Sequence, residues 1–269
     1  MNATYIVTSY VVIDDLLPII NHADDSRATI SSAEILTVAI VAAKFFHNHH
    51  ERALCMLQQT GYLPKLSVSR FNRRLHALQD VLLIIVSVLG EMMTTGHVFV
   101  IDTMPVPVCK RVRAERCRKV RGKSYQGYCA AKHDFYFGWQ LHLVCDAAGI
   151  PVAFELLPAR WDELSLVQDL LSALPAGSVV VADKGYISDL DQQLAYIHGR
   201  VRLLPQQRRN MTGNTPEDAA LIHAHRSRIE TVNSQLEKMG VQRLHARTNS
   251  GFSLKVLASL LALIFTNAF

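Results

Sequence analysis

The chain has 269 residues, 49% of them apolar and 19% charged. That composition excludes a disordered protein and leaves room for one large domain or two small ones. Lys and Arg outnumber Asp and Glu by 28 to 23, and the pI is about 9.0, so the expected partners are anionic. The five cysteines (Cys55, Cys109, Cys117, Cys129 and Cys145) form no C-x-x-C pair. With no cleavable signal pattern at the N-terminus, they read as reduced thiols of a cytoplasmic protein. The uncharged stretch Val256 to Phe269 is shorter than the roughly 20 residues of a membrane span and reads as a buried terminal helix.

In chain order, Asp14-Asp15-Leu16-Leu17-Pro18 predicts a first short helix, and Asp24-Asp25-Ser26-Arg27 a polar linker. Ser31-x-x-Glu34 is a capping box that opens an apolar helix reaching about Phe46. His47, His49, His50 and Glu51 lack the spacing of a zinc site and read as a polar helix end. A helix over Glu51 to Gln59 ends at Gly61. Ser67 then caps another, whose Val68, Phe71, Leu75 and Leu78 make one apolar stripe. Its opposite face carries Arg70, Arg73 and Arg74 beside Ser69, Asn72 and His76. Following a helix and a Gly-containing turn, this segment is similar to the recognition helix of a helix-turn-helix unit. The other reading is an ordinary amphipathic helix with a solvated basic face. Val81 to Leu89 continues as an apolar helix. Residues 1–95 are therefore expected to form a small all-α domain.

Val98-Phe99-Val100-Ile101 is an apolar, mostly β-branched run ending at Asp102, the pattern of a strand buried on both faces. Val179-Val180-Val181-Ala182 ends at Asp183 in the same way. A lone buried carboxylate is costly unless it is paired or binds a cation. A third acid, Glu230, sits in the helical stretch His225 to Glu230. Between the first two, Lys110 to Lys123 holds eight Lys or Arg in fourteen residues. Such a run predicts a mobile loop whose natural partner is a polyphosphate backbone, or else a solvated loop of no specific use. Gly138 to Asp146 and Pro151 to Leu157 read as a hairpin, and Asp162 to Leu174 as a helix. After Asp183 come a helix from Ser188 or Asp189 to Ile197, a strand at Val201 to Leu204, a polar loop at Gln206 to Glu217 and two helices. Residues 96–269 thus run as a strand meander followed by alternating helices and strands, an α/β order of ribonuclease H-like type.

The blocks Ile101 to Lys110, Ala182-Asp-Lys-Gly-Tyr186 and Arg226-x-x-x-Glu230 resemble the three signature blocks of bacterial insertion-sequence transposases. These enzymes carry a DDE triad on a ribonuclease H-like fold. The resemblance covers about Val98 to Phe269. It implies that Asp102, Asp183 and Glu230 hold Mg²⁺ or Mn²⁺, two ions in all, for cleavage and transfer of DNA strands. It further implies a homodimer that processes the element's terminal inverted repeats and inserts them into target DNA. Arg226, one helical turn before Glu230, is then a phosphate contact. The motif often has Tyr three residues before the Arg and Lys seven after the Glu; here His223 and Glu237 stand there, with Lys238 next. Some members of that family carry a large insertion domain between the last two acids; here only 47 positions separate Asp183 from Glu230, which leaves no room for one.

Taken singly, each acid also reads as an N-cap or a surface ion-pair partner, and Asp146, Asp162 and Glu163 are competing acids. Asp146 is explained by a hairpin turn. Candidate DNA contacts are Arg70, Arg73, Arg74, Lys110, Arg111, Arg113, Arg118, Lys119, Arg121, Lys184, Tyr186, Arg226 and Lys238. For Tyr186 a packed aromatic is the other reading, and for Trp161 the choice lies between base stacking and burial. Three rivals remain open: a ribonuclease H-like nuclease without strand transfer, a DNA-binding protein without catalysis, and an unrelated α/β domain.

Overall fold

The computed structural model describes residues 2–129, 132–208, 210–211 and 213–269. Arg209 and Thr212 of the expected polar loop lie outside the described residues. The chain divides into two compact units. One holds residues 1–89 with 235–267 and 269; the other holds 90–234 with 268. The units are thus discontinuous in sequence, whereas the expected segments 1–95 and 96–269 are consecutive.

The first unit is helical: α1 (Ala3–Ile19), α2 (Ser32–Phe46), α3 (His50–Gln59), α4 (Val68–Ala77), most of α5 (Gln79–Met93) and, at the far end of the sequence, α9 (Asn249–Ala268). α1 is longer than its acidic segment suggests, because Asn2 caps it from the N-terminal side and Pro18 falls in its last turn. α2 is the central helix. Its capping box is complete, with the Glu34 amide donating to Ser31 Oγ at 3.1 Å and the Ser31 amide to Glu34 Oε2 at 2.6 Å. Eleven of its fifteen residues are buried, so it is surrounded on all sides and shows no polar stripe. It ends where His47 and Asn48 both turn left-handed, with φ of 49° and 63°. The Asn48 side-chain Nδ2 then donates to Met239 O at 3.0 Å and Ser259 Oγ at 2.9 Å, tying this corner to α9. α9 is long and apolar enough to cross a bilayer, but two thirds of its apolar window is buried within the protein. α4 buries Phe71, Leu75 and Leu78, as its stripe predicts. The Thr60–Ser67 connection before it is longer than the three- to four-residue turn of a helix-turn-helix.

The second unit is α/β. Its strands are β1 (Val98–Lys110), β2 (Gln126–Cys129), β3 (Asp134–Asp146), β4 (Pro151–Pro158), β5 (Val179–Ala182) and β6 (Arg202–Pro205). They form one mixed sheet in the order β2-β3-β1-β5-β6, with β4 also paired to β3. β1, β3 and β4 are antiparallel neighbours; β5 and β6 add in parallel. β1 continues well past Asp102 through Pro105 and Pro107, and its register against β3 shifts between Pro107 and Cys109. Gly138 of β3 makes that crossing possible, since a Cβ there would stand 2.6 Å from Val106 O and Val108 N. The basic run is not a loop throughout: Lys110 closes β1 and Arg111–Arg116 forms a 3₁₀ helix. The Arg111 guanidinium lies 4.8 Å from the centre of the Phe135 ring, a cation–π contact that anchors one end of the run. On one face of the sheet, Phe99, Ile101, Val180 and Leu203 pack with Leu170 and Leu171 of α6 (Val167–Ser172) and Ala195 of α7 (Asp189–Gly199). Truncating a residue such as Phe99, fully buried here, costs about 3–5 kcal/mol. α8 (Pro216–Lys238) completes the unit and leads out of it.

Of the histidines grouped near residue 50, His50 is turned inward, its ring edge-on to Phe71 with centroids 5.4 Å apart. Burial holds its pKa down at about 4, with the Lys255 charge adding to the effect and a bond from Asn72 opposing it. The unfolded chain therefore binds a proton that the folded chain refuses between about pH 6.5 and pH 4. Stability should fall as pH drops through that window, by roughly 2–3 kcal/mol at pH 4.5. Urea unfolding of wild type and His50→Leu at pH 7 and pH 4.5 checks this, the variant losing less on acidification.

Candidate active site

β1 and β5 lie side by side in parallel only as far as Val100 and Val181. Two residues on from each stand Asp102 and Asp183. β5 ends there, so β1 loses its neighbour on that edge while keeping β3, with Asp102 opposite Leu143. The gap left by β5 is what gives both carboxylates a common opening. Asp183 turns the chain: its Oδ1 accepts the Gly185 amide at 2.8 Å and caps the 3₁₀ turn Lys184–Tyr186. Asp102 is half-buried and accepts from Asn233 Nδ2 of α8 at 2.9 Å. Burial pushes its pKa up to about 6, helped by the charges of Asp183 and Glu163 and opposed by bonds from the Thr103 amide and Asn233.

Glu163 is the acid that the strand-end pattern does not single out. It opens the 3₁₀ turn Glu163–Leu166 before α6. Thr103, next to Asp102, donates its hydroxyl to Glu163 Oε1 at 2.9 Å and receives Gln140 Nε2 at 2.7 Å. Burial raises the Glu163 pKa, with the negative charges of Asp183 and Asp162 acting in the same direction. The sequence signal for it was faint: an acidic pair after a strand, indistinguishable from the usual charge at a helix start.

Glu230 is placed differently. It lies on α8, one turn before Asn233, with 67% of its side chain exposed and Arg226 Nε 3.8 Å from its Oε1. Arg226 also donates to Gln206 Oε1 at 2.8 Å. The α8 side chain that reaches Asp102 is Asn233. Among the described residues, no three His, Cys, Asp or Glu side chains stand close enough together to hold one metal ion. The donor chemistry around Asp102 and Asp183 nonetheless suits a hard divalent cation, being carboxylate oxygen without a basic partner. A fully buried Tyr186 hydroxyl without a hydrogen-bond partner adds an orphan polar atom beside these acids.

The remaining candidates separate into engaged and exposed groups. Arg74 donates to Ile30 O and, at 3.3 Å, to Asp24, so it is committed to the α1–α2 connection. Arg70 and Arg73 are exposed beside it and line, with Arg27, an open cleft of about 580 Å³. Lys110, Arg111, Arg113, Arg118 and Arg121 are exposed, and Lys119 half-buried. Lys184, Arg226 and Lys238 are exposed too. Tyr186 is 1% exposed and belongs to the sheet core, so the packed-aromatic reading is the one realised, and its ring is not offered to DNA. Trp161, 49% exposed directly before Asp162 and Glu163, is not buried. Asp146 accepts the amides of Ala148 and Ile150 at 2.9 and 2.8 Å, the turn role expected of it.

A carboxylate at Asp102 held ionised near neutral pH is destabilising in the metal-free protein, because its neutral form is the one the pocket favours. The shift from 3.8 to about 6 sets a ceiling of about 3 kcal/mol on that cost. Asp102→Asn keeps an acceptor for Asn233 and removes the charge. It should raise the melting temperature in EDTA at pH 7.5, corresponding to roughly 1–3 kcal/mol. Differential scanning calorimetry of the two proteins decides it, and a lowered melting temperature would contradict the electrostatic account.

No curated protein and no solved structure matches the chain. A family model described as "Transposase DDE domain" matches residues 92–251, well over half of the sequence. The matched span begins just before β1 and contains Asp102, Glu163, Asp183 and Glu230. The chain belongs to the DDE transposases, of the insertion-sequence type.

Proposed function

We propose that this protein cuts phosphodiester bonds at the ends of its own insertion sequence and joins the freed strands to target DNA. The observation that carries the reading is the placement of Asp102 and Asp183, each two residues beyond the paired Val100 and Val181, within the family's matched span. Without β2, the strands run β4-β3-β1-β5-β6, an antiparallel meander extended by two parallel strands. That order supports a ribonuclease H-like assignment. The two-domain organisation, with DNA contacts in a helical region of residues 1–95, belongs to the same proposal.

In this reading Asp102, Asp183 and Glu230 are the metal ligands, for Mg²⁺ or Mn²⁺, two ions in all. When bound, these ions supply charge neutralisation at the phosphate and activation of the attacking oxygen. Asn233 and the Thr103 amide orient the Asp102 carboxylate, and the Gly185 amide fixes that of Asp183. Glu230 reaches the centre once Arg226 turns its guanidinium to a DNA phosphate and releases it. Arg70, Arg73, Lys110, Arg111, Arg113, Arg118, Lys119, Arg121, Lys184 and Lys238 hold the DNA backbone. Water is the first nucleophile and the freed 3′-hydroxyl the second. A cytoplasmic homodimer, one copy per inverted repeat, completes the proposal. The outward position of Glu230 is what favours a second reading, DNA binding without catalysis.

Purified protein and a labelled duplex carrying the element's ends test both. Metal-dependent cuts and strand transfer are expected. They should fall at least 100-fold in Asp102→Asn and Glu230→Gln and vanish in EDTA. Cuts without joining leave a nuclease, and binding without cuts leaves a DNA-binding protein. Removing phosphate contacts with Arg70→Ala and Arg73→Ala together should lower the slope of log affinity against log salt by about two. Filter binding across a salt series measures that slope.

A further inference from the structure

Glu163 is a half-buried carboxylate whose surroundings contain acids but no base. Two acidic charges, those of Asp183 and Asp162, act on it, and no described ion pair includes it. Its Oε1 is fixed by the Thr103 hydroxyl, which Gln140 orients in turn. Its Oε2 lies against the Cα of Gly185: a Cβ added there would collide with it, and would stand 3.0 Å from Asp183 Oδ1. Glu163 and Asp183 therefore face each other across the space of one absent methyl group, with Asp102 close enough to feel both charges. Tyr186, in the next position, is 1% exposed, and its hydroxyl has no partner.

Gathering three carboxylates, two of them half-buried, opposes folding unless a cation joins them. Each device here works toward that gathering. Thr103 and Gln140 hold one oxygen of Glu163 so that the other points at Asp183, and the missing side chain at position 185 leaves the gap between the two open. The unpartnered phenol supplies a hydrogen-bond donor that can meet a carboxylate oxygen when the acids reorient.

We propose that Glu163 is a metal-binding carboxylate of this site, forming with Asp102 and Asp183 a divalent-cation pocket that does not need Glu230. The inference rests on the reading of Asp102 and Asp183 as metal ligands, and adds a ligand from the 3₁₀ turn before α6. Glu230 then joins only when DNA draws Arg226 away from it. Without the ion the three acids stand too far apart to share it; in the DNA-free protein, binding draws Asp102, Asp183 and Glu163 together on the cation, with Glu163 and Asp183 closing the gap beside Gly185.

The test is Mn²⁺ binding to the full chain without DNA, followed by the loss of the free-ion electron paramagnetic resonance signal. Circular dichroism confirms that each variant is folded. Glu163→Gln should weaken binding at least tenfold, as should Asp102→Asn, while Glu230→Gln binds as wild type does. Gly185→Ala, which forces a methyl between Glu163 and Asp183 while leaving both acids in the sequence, should weaken binding as well. It serves if Glu163→Gln fails to fold. Wild-type affinity in a folded Glu163→Gln overturns the inference, as does a tenfold loss in Glu230→Gln. Wild-type affinity in Asp102→Asn instead overturns the metal-ligand reading on which it rests.

Discussion

Everything distinctive about the α/β unit follows from one unfavourable arrangement: carboxylates gathered where the parallel pairing of β1 and β5 ends, with no ion-pair partner among the described residues. Asp102 sits where β5 stops covering β1, so it is neither buried in the core nor free in water. Its neighbours are chosen to make that tolerable rather than comfortable. Asn233 and the Thr103 amide offer hydrogen bonds, each worth about 1.5–3 kcal/mol when the acceptor is charged. They do not cancel the combined cost of burial and of two nearby negative charges, since the net effect is still a pKa pushed up to about 6. A protein that only had to fold would have used Asn or Leu at this position.

Much of this was legible because apolar runs ending in acids report tertiary position directly. Val98 to Ile101 and Val179 to Ala182 are too apolar to be anything but interior strands; the acid just beyond lies at the strand's exit for Asp183, whereas at Asp102 only the pairing with β5 ends and β1 runs on. The helices were legible from their caps, Ser31 with Glu34 and Ser67 with the Arg70 amide. The extension of β1 through two prolines was not. Proline cannot donate to a ladder and reads as a strand end. Here β5 pairs with β1 only as far as Val100, so beyond that point β1 keeps a ladder to β3 alone, and its register shift beside Gly138 takes up the misfit. β2 itself, four residues long and next to a basic run, has too little periodicity to register.

The acids divide along the same line. Asp102 and Asp183 announced themselves through the apolar runs they end, whereas Glu163 belongs to a turn and shows its place only through Thr103 and Gly185, distant in sequence. A helical acid such as Glu230 is harder still, because helix phase fixes which residue faces the sheet. Here that residue is Asn233, three positions on, and a shift of one helical turn is about 5.4 Å along the axis. Spacing within a motif identifies the helix more reliably than the side chain that reaches the site at rest.

The contrast between Glu163 and Glu230 also bears on how the site could be kept harmless between encounters with DNA. On the proposed reading, Glu230, paired at 3.8 Å with an arginine on its own helix, competes with the DNA substrate for the same guanidinium. Phosphate is the stronger competitor, because it offers bidentate acceptors and full charge to a group that otherwise holds an exposed carboxylate at long range. The exposed pair contributes little to stability, so little opposes its exchange. Asp102, Asp183 and Glu163 contribute the opposite: they are fixed by Asn233, Gly185 and Thr103 and cannot be drawn apart without breaking those bonds. Rigidity is thus placed at the strand ends and the freedom to change partners on the helix, where a change in DNA contact can be felt.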